Sequence, residues 1–317
     1  MKLIGFDIGG TKCAVSRGEA AEGRVRVLAR REIPTPAKWQ DALEALFRGA
    51  EALLGGDRPD ACGFSCGGPL DAEKGLVLSP PNLLGWDRVP VTALAKARFG
   101  VPCFLENDAN ACALAEWRWG AGQGSRNMAF LTFGTGLGAG LILDGRLIRG
   151  ANGNAGEAGH IRLSPFGPAG YGKEGSFEGF CSGGGVAQLA VTLGKRAVQN
   201  GETPAYFTGS WDDVTTKAVA EAAHAGDPTA RAVFELCGEK LGEGLSVLVD
   251  ILNPEVIVIG SVFARCEALL RPAMERTMAR ECLSASLEAV RVVPAALGEQ
   301  IGDCAALCAA EYGLRNQ

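Results

Sequence analysis

The chain has 317 residues, of which 47% are hydrophobic and 21% charged, a composition that supports a sizeable core and excludes a disordered chain. Its 31 Lys and Arg against 36 Asp and Glu give a formal net charge of −5, whereas nucleic-acid-binding proteins usually carry a basic balance or a basic face. The 11 cysteines form no CxxC pair, and no apolar run reaches the roughly 18 residues of a membrane span. We expect a soluble, reduced, cytoplasmic protein that binds neither nucleic acid nor membrane.

The first half of the chain is predicted to form an α/β lobe that opens on a glycine-rich turn. Leu3–Ile8 is an apolar strand and a second strand resumes at Cys13–Arg17. Two strands around the sequence Gly9-Gly10-Thr11-Lys12 are typical of a hairpin. The pattern then predicts, in chain order, a helix over Trp39–Leu54, strands over Ala61–Ser65 and Val101–Glu106, and a helix over Asn107–Trp119.

The second half opens in the same way as the first. A strand over Met128–Phe133 leads into the glycine-rich segment Gly134–Gly140, and a hairpin of Leu141–Leu143 and Arg146–Ile148 follows. This weak repeat indicates a duplicated lobe with a ligand held between the two copies. Three later elements are predicted, namely a helix that starts at Asp227-Pro228, a strand over Val256–Ile259 and a helix over Ile301–Leu314. We expect an N-terminal lobe of residues 1–120 joined by the helix 300–317, and a C-terminal lobe of residues 121–299.

The two glycine-rich turns are candidate phosphate sites. In the first turn, Asp7 and Thr11 flank Gly9, so that backbone N–H groups and a hydroxyl can approach a phosphate while the carboxylate holds hydrated Mg²⁺. An ordinary hairpin turn is the alternative for that segment. Gly134–Gly140 has a spacing like GxGxxG, but it leads into a strand instead of opening a helix, which disfavours a dinucleotide site.

Four motifs resemble those of one family. Asp7–Lys12 (DIGGTK), Glu106–Ala111 (ENDANA), Gly134–Gly140 and Gly156–His160 (GEAGH) look like the ROK family of sugar kinases and repressors. The resemblance implies an α/β, two-lobed actin-like ATPase fold, a duplicated ribonuclease H-like unit with nucleotide and sugar in the interlobe cleft. It further implies ATP-dependent phosphorylation of a hexose, with ATP and Mg²⁺, in a protein expected to be a homodimer.

The resemblance also assigns residues to the nucleotide. It implies that Asp7 holds Mg²⁺ through water. The expected nucleotide-binding residues are Asp7, Gly9, Gly10, Thr11, Lys12, Thr135, Gly136, Gly138 and Gly260.

A second group of residues is assigned to the sugar. From its chemistry alone, Asp108 is either a helix N-cap or a general base; the resemblance favours the base, kept ionised by the helix N-terminus. The expected contacts with sugar hydroxyls are Asn82, Asn107, Glu157, His160 and Glu178.

Other functions stay open at this point. An N-acetylglucosamine or N-acetylmannosamine kinase is one alternative, and a non-catalytic sugar-sensing regulator of the ROK family is another. A DNA-binding repressor is disfavoured, because its helix-turn-helix would have to precede the strand that begins at Leu3.

The chain departs from its family in one loop. Many members carry a CxCGxxGCxE motif whose cysteines join the motif histidine in a zinc site. Here Ala169, Tyr171 and Ser176 stand at the three cysteine positions, and His160 alone is left. Structural zinc needs four ligands, so we predict no zinc site, and we expect packing of Tyr171 and Phe177 to stabilise the loop instead.

Overall fold

The computed structural model describes residues 1–316. Contacts divide the chain into two compact units. The first unit contains Met1–Arg126, Gly140–Ala155 and the C-terminal segment from Ala296, and the second contains Asn127–Ala139 and Gly156–Ala295. Within residues 1–316, no helix combines the length and apolarity that spanning a bilayer requires.

The described part of the chain contains fourteen strands. They are β1 (Lys2–Ile8), β2 (Lys12–Ala21), β3 (Arg24–Pro34), β4 (Ala61–Cys66), β5 (Leu70–Asp71), β6 (Leu76–Val77), β7 (Cys103–Asn107), β8 (Met128–Leu131), β9 (Ala139–Leu143), β10 (Arg146–Ile148), β11 (Ala169–Gly170), β12 (Lys173–Glu174), β13 (Val256–Ile259) and β14 (Arg291–Pro294).

The same residues contain ten α-helices. They are α1 (Trp39–Leu54), α2 (Val91–Phe99), α3 (Asp108–Trp119), α4 (Phe177–Phe180), α5 (Gly183–Gln199), α6 (Thr216–Ala225), α7 (Pro228–Leu252), α8 (Val262–Glu281), α9 (Ser284–Ala289) and α10 (Ile301–Arg315). Three short 3₁₀ turns lie at Ala158–His160, Trp211–Asp213 and Gly298–Gln300.

The first unit is built on a five-stranded sheet of order β3-β2-β1-β4-β7. β1 pairs antiparallel with β2 and parallel with β4, and β4 pairs parallel with β7. α10 packs against this sheet where the strands have glycine: a Cβ on Gly5 would lie 2.9 Å from the Ala306 Cβ. The parallel strands β4 and β7 end at the same edge, which brings the end of β1 and the start of α3 into one region.

The second unit carries its own sheet and most of the helices. β13 pairs parallel with both β8 and β14, and all four β13 residues are buried, as are those of β8. α7 begins at Pro228 behind the capping side chain of Asp227, which accepts a hydrogen bond from the Ala230 N–H, as the sequence predicts. α7 packs along α8, where a Cβ on Gly242 would lie 2.6 Å from the Met274 carbonyl oxygen.

Candidate active site

The first glycine-rich turn links β1 to β2 in the first unit. The Thr35 hydroxyl donates a hydrogen bond to the Gly9 carbonyl at 2.6 Å, and the Thr35 N–H donates to the Thr11 carbonyl at 3.0 Å. Within the turn, the Gly9 N–H donates to the Lys12 carbonyl at 3.2 Å. The predicted hairpin turn is therefore present, and Thr35, which the sequence pattern did not single out, fixes its shape.

Asn82 lies directly against this turn. A Cβ on Gly10 would come within 2.6 Å of the Asn82 carbonyl oxygen and 2.7 Å of its Cβ, so only glycine permits this close approach. The ammonium of Lys12 forms an ion pair with Glu32 at 3.0 Å. Asn82 therefore packs against the turn that the sequence predicts to bind phosphate, whereas the Lys12 side chain is paired with a residue of β3.

Asp7 is a half-buried carboxylate close to the end of β1. Its burial, followed by the charges of Asp303 and Asp108, raises the pKa of Asp7 to about 6. The Arg30 and Lys12 charges act in the opposite direction. Among residues 1–316, no group donates a hydrogen bond to this carboxylate, so a bound cation would relieve the repulsion among the acids.

Asn107 and Asp108 form the junction between β7 and α3. Asn107 is the N-cap, because its Oδ1 accepts hydrogen bonds from the N–H groups of Ala109 at 3.0 Å and Asn110 at 3.5 Å. Asp108 is the first residue of α3, and its Oδ1 accepts from the same Ala109 N–H at 2.8 Å. The capping alternative for Asp108 is therefore wrong, since the preceding residue performs that task.

The Asp108 carboxylate is accessible to solvent beside a glycine turn. A Cβ on Gly67 would lie 3.8 Å from the Asp108 Oδ2, and one on Gly68 would lie 3.5 Å from the Asn107 Nδ2. Desolvation by the surrounding protein raises the pKa of Asp108, although hydrogen bonds from Ala109, its own N–H and Asn107 lower it. The predicted effect of the helix N-terminus is thus present but is outweighed by desolvation.

The second glycine-rich turn follows β8 in the second unit. Thr132, which precedes the turn, is hydrogen-bonded twice to Gly138 near its end. The Gly138 N–H donates to the Thr132 Oγ1 at 2.9 Å, and the Thr132 N–H donates to the Gly138 carbonyl at 3.0 Å. Inside the turn, the Gly134 N–H donates to the Gly136 carbonyl at 2.9 Å, while Thr135 at the tip is exposed. Thr132 is a turn residue that the sequence pattern did not single out.

Gly260 lies beside the start of this second turn. Its N–H donates to the Leu131 carbonyl at 2.9 Å, and a Cβ added to it would lie 3.3 Å from the Thr132 carbonyl oxygen. Ser261 has a φ of 48°, in the left-handed region that favours glycine. The chain therefore turns sharply from β13 into α8 beside Leu131 and Thr132, which precede the second glycine-rich turn.

Glu178, on the short helix α4, reaches the same turn. Its Oε2 accepts a hydrogen bond from the Leu137 N–H at 2.9 Å, and a Cβ on Gly136 would lie 2.6 Å from that oxygen. A Cβ on Gly159 would lie 3.2 Å from the Glu178 Cβ. Glu178 thus links the second turn to the GEAGH segment.

Glu157 precedes a single 3₁₀ turn and His160 is its last residue, and both residues are exposed. Lys173 donates a hydrogen bond to the His160 carbonyl at 2.5 Å, and the His160 ring meets Tyr171 edge-on at 6.0 Å between centroids. Beside them an open cavity of about 640 Å³ is lined by His160, Arg162, Tyr171, Gly172, Lys173 and Glu174.

At the loop positions where the family motif has cysteine, the residues of this chain make other contacts. The Ala169 N–H and carbonyl each bond the Gln188 side chain at 3.0 Å, and the Ser176 hydroxyl caps α4 by accepting from the Gly179 N–H at 3.0 Å. Phe177 is fully buried, but Tyr171 is 74% exposed, so the expected packing holds for Phe177 and is wrong for Tyr171 apart from its contact with His160. The residues present do not fit a zinc ion, and no cluster of three or more His, Cys, Asp or Glu suited to a metal occurs within residues 1–316.

The match to known proteins agrees with these motifs. The model of the ROK family matches residues 3–311. The chain belongs to the ROK family. The glucokinase of Streptomyces coelicolor is 31% identical to this ROK protein over 302 residues, which are 94% of either chain.

Solved structures and a regulator complete the comparison. The crystal structure of a ROK family glucokinase from Streptomyces griseus in complex with glucose and AMPPNP has a TM-score of 0.80 at 31% identity, covering 99% of this chain and all of that one. The N-acetylglucosamine repressor of Escherichia coli O157:H7 is 31% identical over 82% of this chain and 64% of its own length. The predicted fold class, an α/β two-lobed actin-like ATPase fold, is confirmed by the ROK neighbours.

Proposed function

We propose that this ROK protein is an ATP-dependent hexose kinase of the glucokinase type. Its similarity to glucokinases covers nearly the whole of both chains. The observation that carries the proposal is the arrangement at β7 and α3, where Asn107 caps the helix and leaves the Asp108 carboxylate accessible next to Gly67. A carboxylate in that position is suited to accept a proton from a sugar hydroxyl.

Asp108 acts in this proposal as the general base. Its Oδ1 is engaged by the Ala109 N–H, which fixes the orientation of the carboxyl group relative to α3. Its raised pKa makes the carboxylate a stronger base than an ordinary aspartate. Phosphoryl transfer proceeds through a loose transition state, so orienting the attacking hydroxyl contributes more than high basicity.

The two glycine-rich turns would bind the phosphates of ATP. Gly9, Gly10 and Thr11 lie in one turn, and Thr135, Gly136 and Gly138 lie in the other. The N–H groups of Gly9 and Gly138 are used inside the turns, so the N–H groups of Gly10, Thr11, Thr135 and Gly136 and the two threonine hydroxyls would meet the phosphates. Gly260 would lie near the adenosine. Asp7 fits a hydrated Mg²⁺, because its carboxylate has no hydrogen-bond donor within the described residues and is repelled by two other acids. Bound with ATP, Mg²⁺ would neutralise charge on the phosphates.

The sugar would be recognised by amide, carboxylate and imidazole groups. Such groups discriminate strongly, because a missing hydroxyl leaves them without a partner. The residues proposed for this role are Asn82, Asn107, Glu157, His160 and Glu178. The protein's homodimeric state and cytoplasmic location remain predictions.

A second candidate function is a sugar-sensing regulator, which the similarity to the N-acetylglucosamine repressor supports. Asp7 and Thr11 are both present together with Asn107 and Asp108, a set that a protein without turnover does not need. We therefore place catalysis first. Within catalysis, an N-acetylglucosamine or N-acetylmannosamine kinase is the alternative to a glucokinase.

One experiment separates these functions. Release of ADP is measured with ATP, Mg²⁺ and each of glucose, mannose, fructose, allose, N-acetylglucosamine and N-acetylmannosamine, with calorimetric binding of each sugar in parallel. We expect turnover with hexoses and the highest kcat/KM for glucose. The highest value for an N-acetyl sugar would reassign the substrate. Binding of a sugar without turnover of any would favour the regulator.

A further inference from the structure

Glu106 is a charged residue at the end of β7 that is almost completely buried, with 3% of its surface exposed. Its Oε1 accepts hydrogen bonds from the Asn107 N–H and from the Asn110 side-chain amide, each at 3.1 Å. The carboxylate therefore holds two groups of the β7–α3 junction at once. A buried carboxylate of this kind is stable only when its charge is compensated.

Arg149 supplies that compensation from a distant part of the sequence. Its Nε and Nη2 donate to the Glu106 Oε2 at 3.0 and 2.6 Å. The two acceptor oxygens of Glu106 thus have separate partners, the helix start on one and the guanidinium on the other. Charge-assisted bonds of this type are about twice as strong as neutral ones.

Arg149 is brought to this place by the hairpin of β9 and β10, which lies in the first unit from Gly140 onwards. A Cβ on Gly140 would lie 2.5 Å from the Ala113 Cβ and 2.6 Å from the Ala109 carbonyl oxygen. Glycine therefore allows the hairpin to lie directly on the first turns of α3. The Ala155 N–H then closes the segment after β10 by donating to the Arg149 carbonyl at 3.1 Å.

We propose that Glu106 and Arg149 are positioning residues for the phosphoryl transfer: the pair fixes the β7–α3 junction and thereby aims the Asn107 amide and the Asp108 carboxylate at the sugar. This inference rests on the proposed kinase function. Neither side chain touches the sugar. Glu106 holds the Asn107 backbone, and Arg149 holds Glu106.

The pair has a specific expected effect on kinetics. A displacement of about 1 Å at a reacting group can cost on the order of 100-fold in rate. Loosening the junction should therefore lower kcat and raise the KM for the sugar. The KM for ATP should change little, because the Gly9–Thr11 turn is held by Thr35 and not by Glu106.

The test uses Arg149→Met, Arg149→Lys and Glu106→Gln in the full chain. Arg149→Met should lower kcat about 10- to 100-fold and raise the sugar KM, with the ATP KM within about twofold of wild type. Arg149→Lys keeps a cation near Glu106 and should recover most of the loss, and Glu106→Gln keeps an acceptor oxygen and should be intermediate. Arg98→Met is the matched control, because it removes an exposed arginine–carboxylate pair with Glu51 in the same unit.

Amide hydrogen exchange provides a readout that does not depend on turnover. Arg149→Met should speed exchange of the Ala109 and Asn110 amides, while Arg98→Met should leave it unchanged. A wild-type protein that phosphorylates no hexose would contradict the proposed function, and the exchange experiment would still test the pair. The inference is overturned if Arg149→Met leaves kcat and exchange unchanged, or if it raises both KM values equally. If Arg149→Met does not fold, the same criteria apply to Arg149→Lys and Glu106→Gln.

Discussion

The Asn107 side chain caps α3 by accepting a hydrogen bond from the Ala109 N–H at 3.0 Å. The same side chain is proposed to contact the sugar, so one residue has a structural and a functional task. Asp108 follows it at the first helical position and needs no capping role. The two tasks of Asn107 can be separated by substitution.

Asn107→Ala should lose both tasks, and Asn107→Asp should lose only one. The alanine variant should be about 1 kcal/mol less stable, whereas aspartate caps as well as asparagine. Both variants should bind the sugar at least about tenfold more weakly, because a sugar hydroxyl loses the Asn107 amide N–H that donates to it. Thr215→Ala is the control, since Thr215 caps α6 by accepting from the Ala218 N–H and should lower Tm without changing the sugar KM. An Asn107→Ala protein with wild-type sugar KM would contradict the assignment.

Much of the local structure could be predicted from the sequence. The helix over Trp39–Leu54 and the strand Val256–Ile259 have the predicted bounds, since apolar spacing and flanking glycines mark them. β3 (Arg24–Pro34) was not predicted, although its first residues, Arg-Val-Arg-Val, alternate between polar and apolar as a half-exposed strand does. Its place in the sheet comes from its pairing with β2, which no local pattern reveals.

The candidate site was predictable only where motifs carry it. The glycine turns and Asp108 stand in compact motifs, and Glu106 opens the same motif as Asp108. The roles of Thr35, Glu106 and Arg149, however, depend on contacts between distant parts of the chain. Glu106 and Arg149 are 43 positions apart. The charge of Glu106 in an apolar strand is a signal that could have pointed to a buried partner.

The pKa of Asp7 leads to a prediction about pH and stability. The folded-state pKa of about 6 lies above the ordinary value of 3.8, so the folded protein binds this proton more tightly than the unfolded chain does. The contribution of Asp7 to the free energy of unfolding therefore falls as pH rises from about 4 to about 6. Asp7→Asn should therefore have a higher Tm than wild type above about pH 6, a gain that vanishes near pH 4. The measurement is thermal unfolding between these pH values without nucleotide or Mg²⁺.

The control for Asp7 is an aspartate whose pKa is lowered instead of raised. The Lys2 and Arg17 charges and hydrogen bonds lower the pKa of Asp57, so Asp57→Asn should lose Tm at neutral pH instead of gaining it. If Asp7→Asn raises Tm by the same amount at every pH, the raised pKa of Asp7 is not the cause of that increase.

The protein should contain no stoichiometric zinc when purified. Ser176 caps α4 and Ala169 bonds Gln188, so the loop is held without metal. Chelation should therefore leave Tm unchanged, while activity should still require added Mg²⁺. Stoichiometric zinc by elemental analysis, or a lower Tm after chelation, would show that the loop binds metal.

Glu157→Gln should weaken binding of the sugar far more than binding of ATP. A carboxylate that accepts from a sugar hydroxyl is replaced by a weaker acceptor, and we expect about a tenfold loss of sugar affinity with ATP affinity within about twofold. Glu202→Gln is the matched control, because Glu202 is an exposed glutamate of the same unit and does not line the cavity beside His160. Calorimetric titration of each ligand checks this result, and equal losses for sugar and ATP would contradict the assignment.

The role of Asp108 as the general base is tested most directly by the turnover of Asp108→Asn with its cognate hexose, measured beside sugar affinity. Asparagine keeps the shape and can still accept from the Ala109 N–H, but it cannot take up the hydroxyl proton. We predict a loss on the order of 10²- to 10⁴-fold in kcat, as for a general base, with sugar affinity largely retained. Asp71→Asn is the control and should leave kcat unchanged, because Asp71 lies on the short strand β5 and is paired with Lys74. A kcat close to that of wild type in Asp108→Asn would show that Asp108 is not the general base.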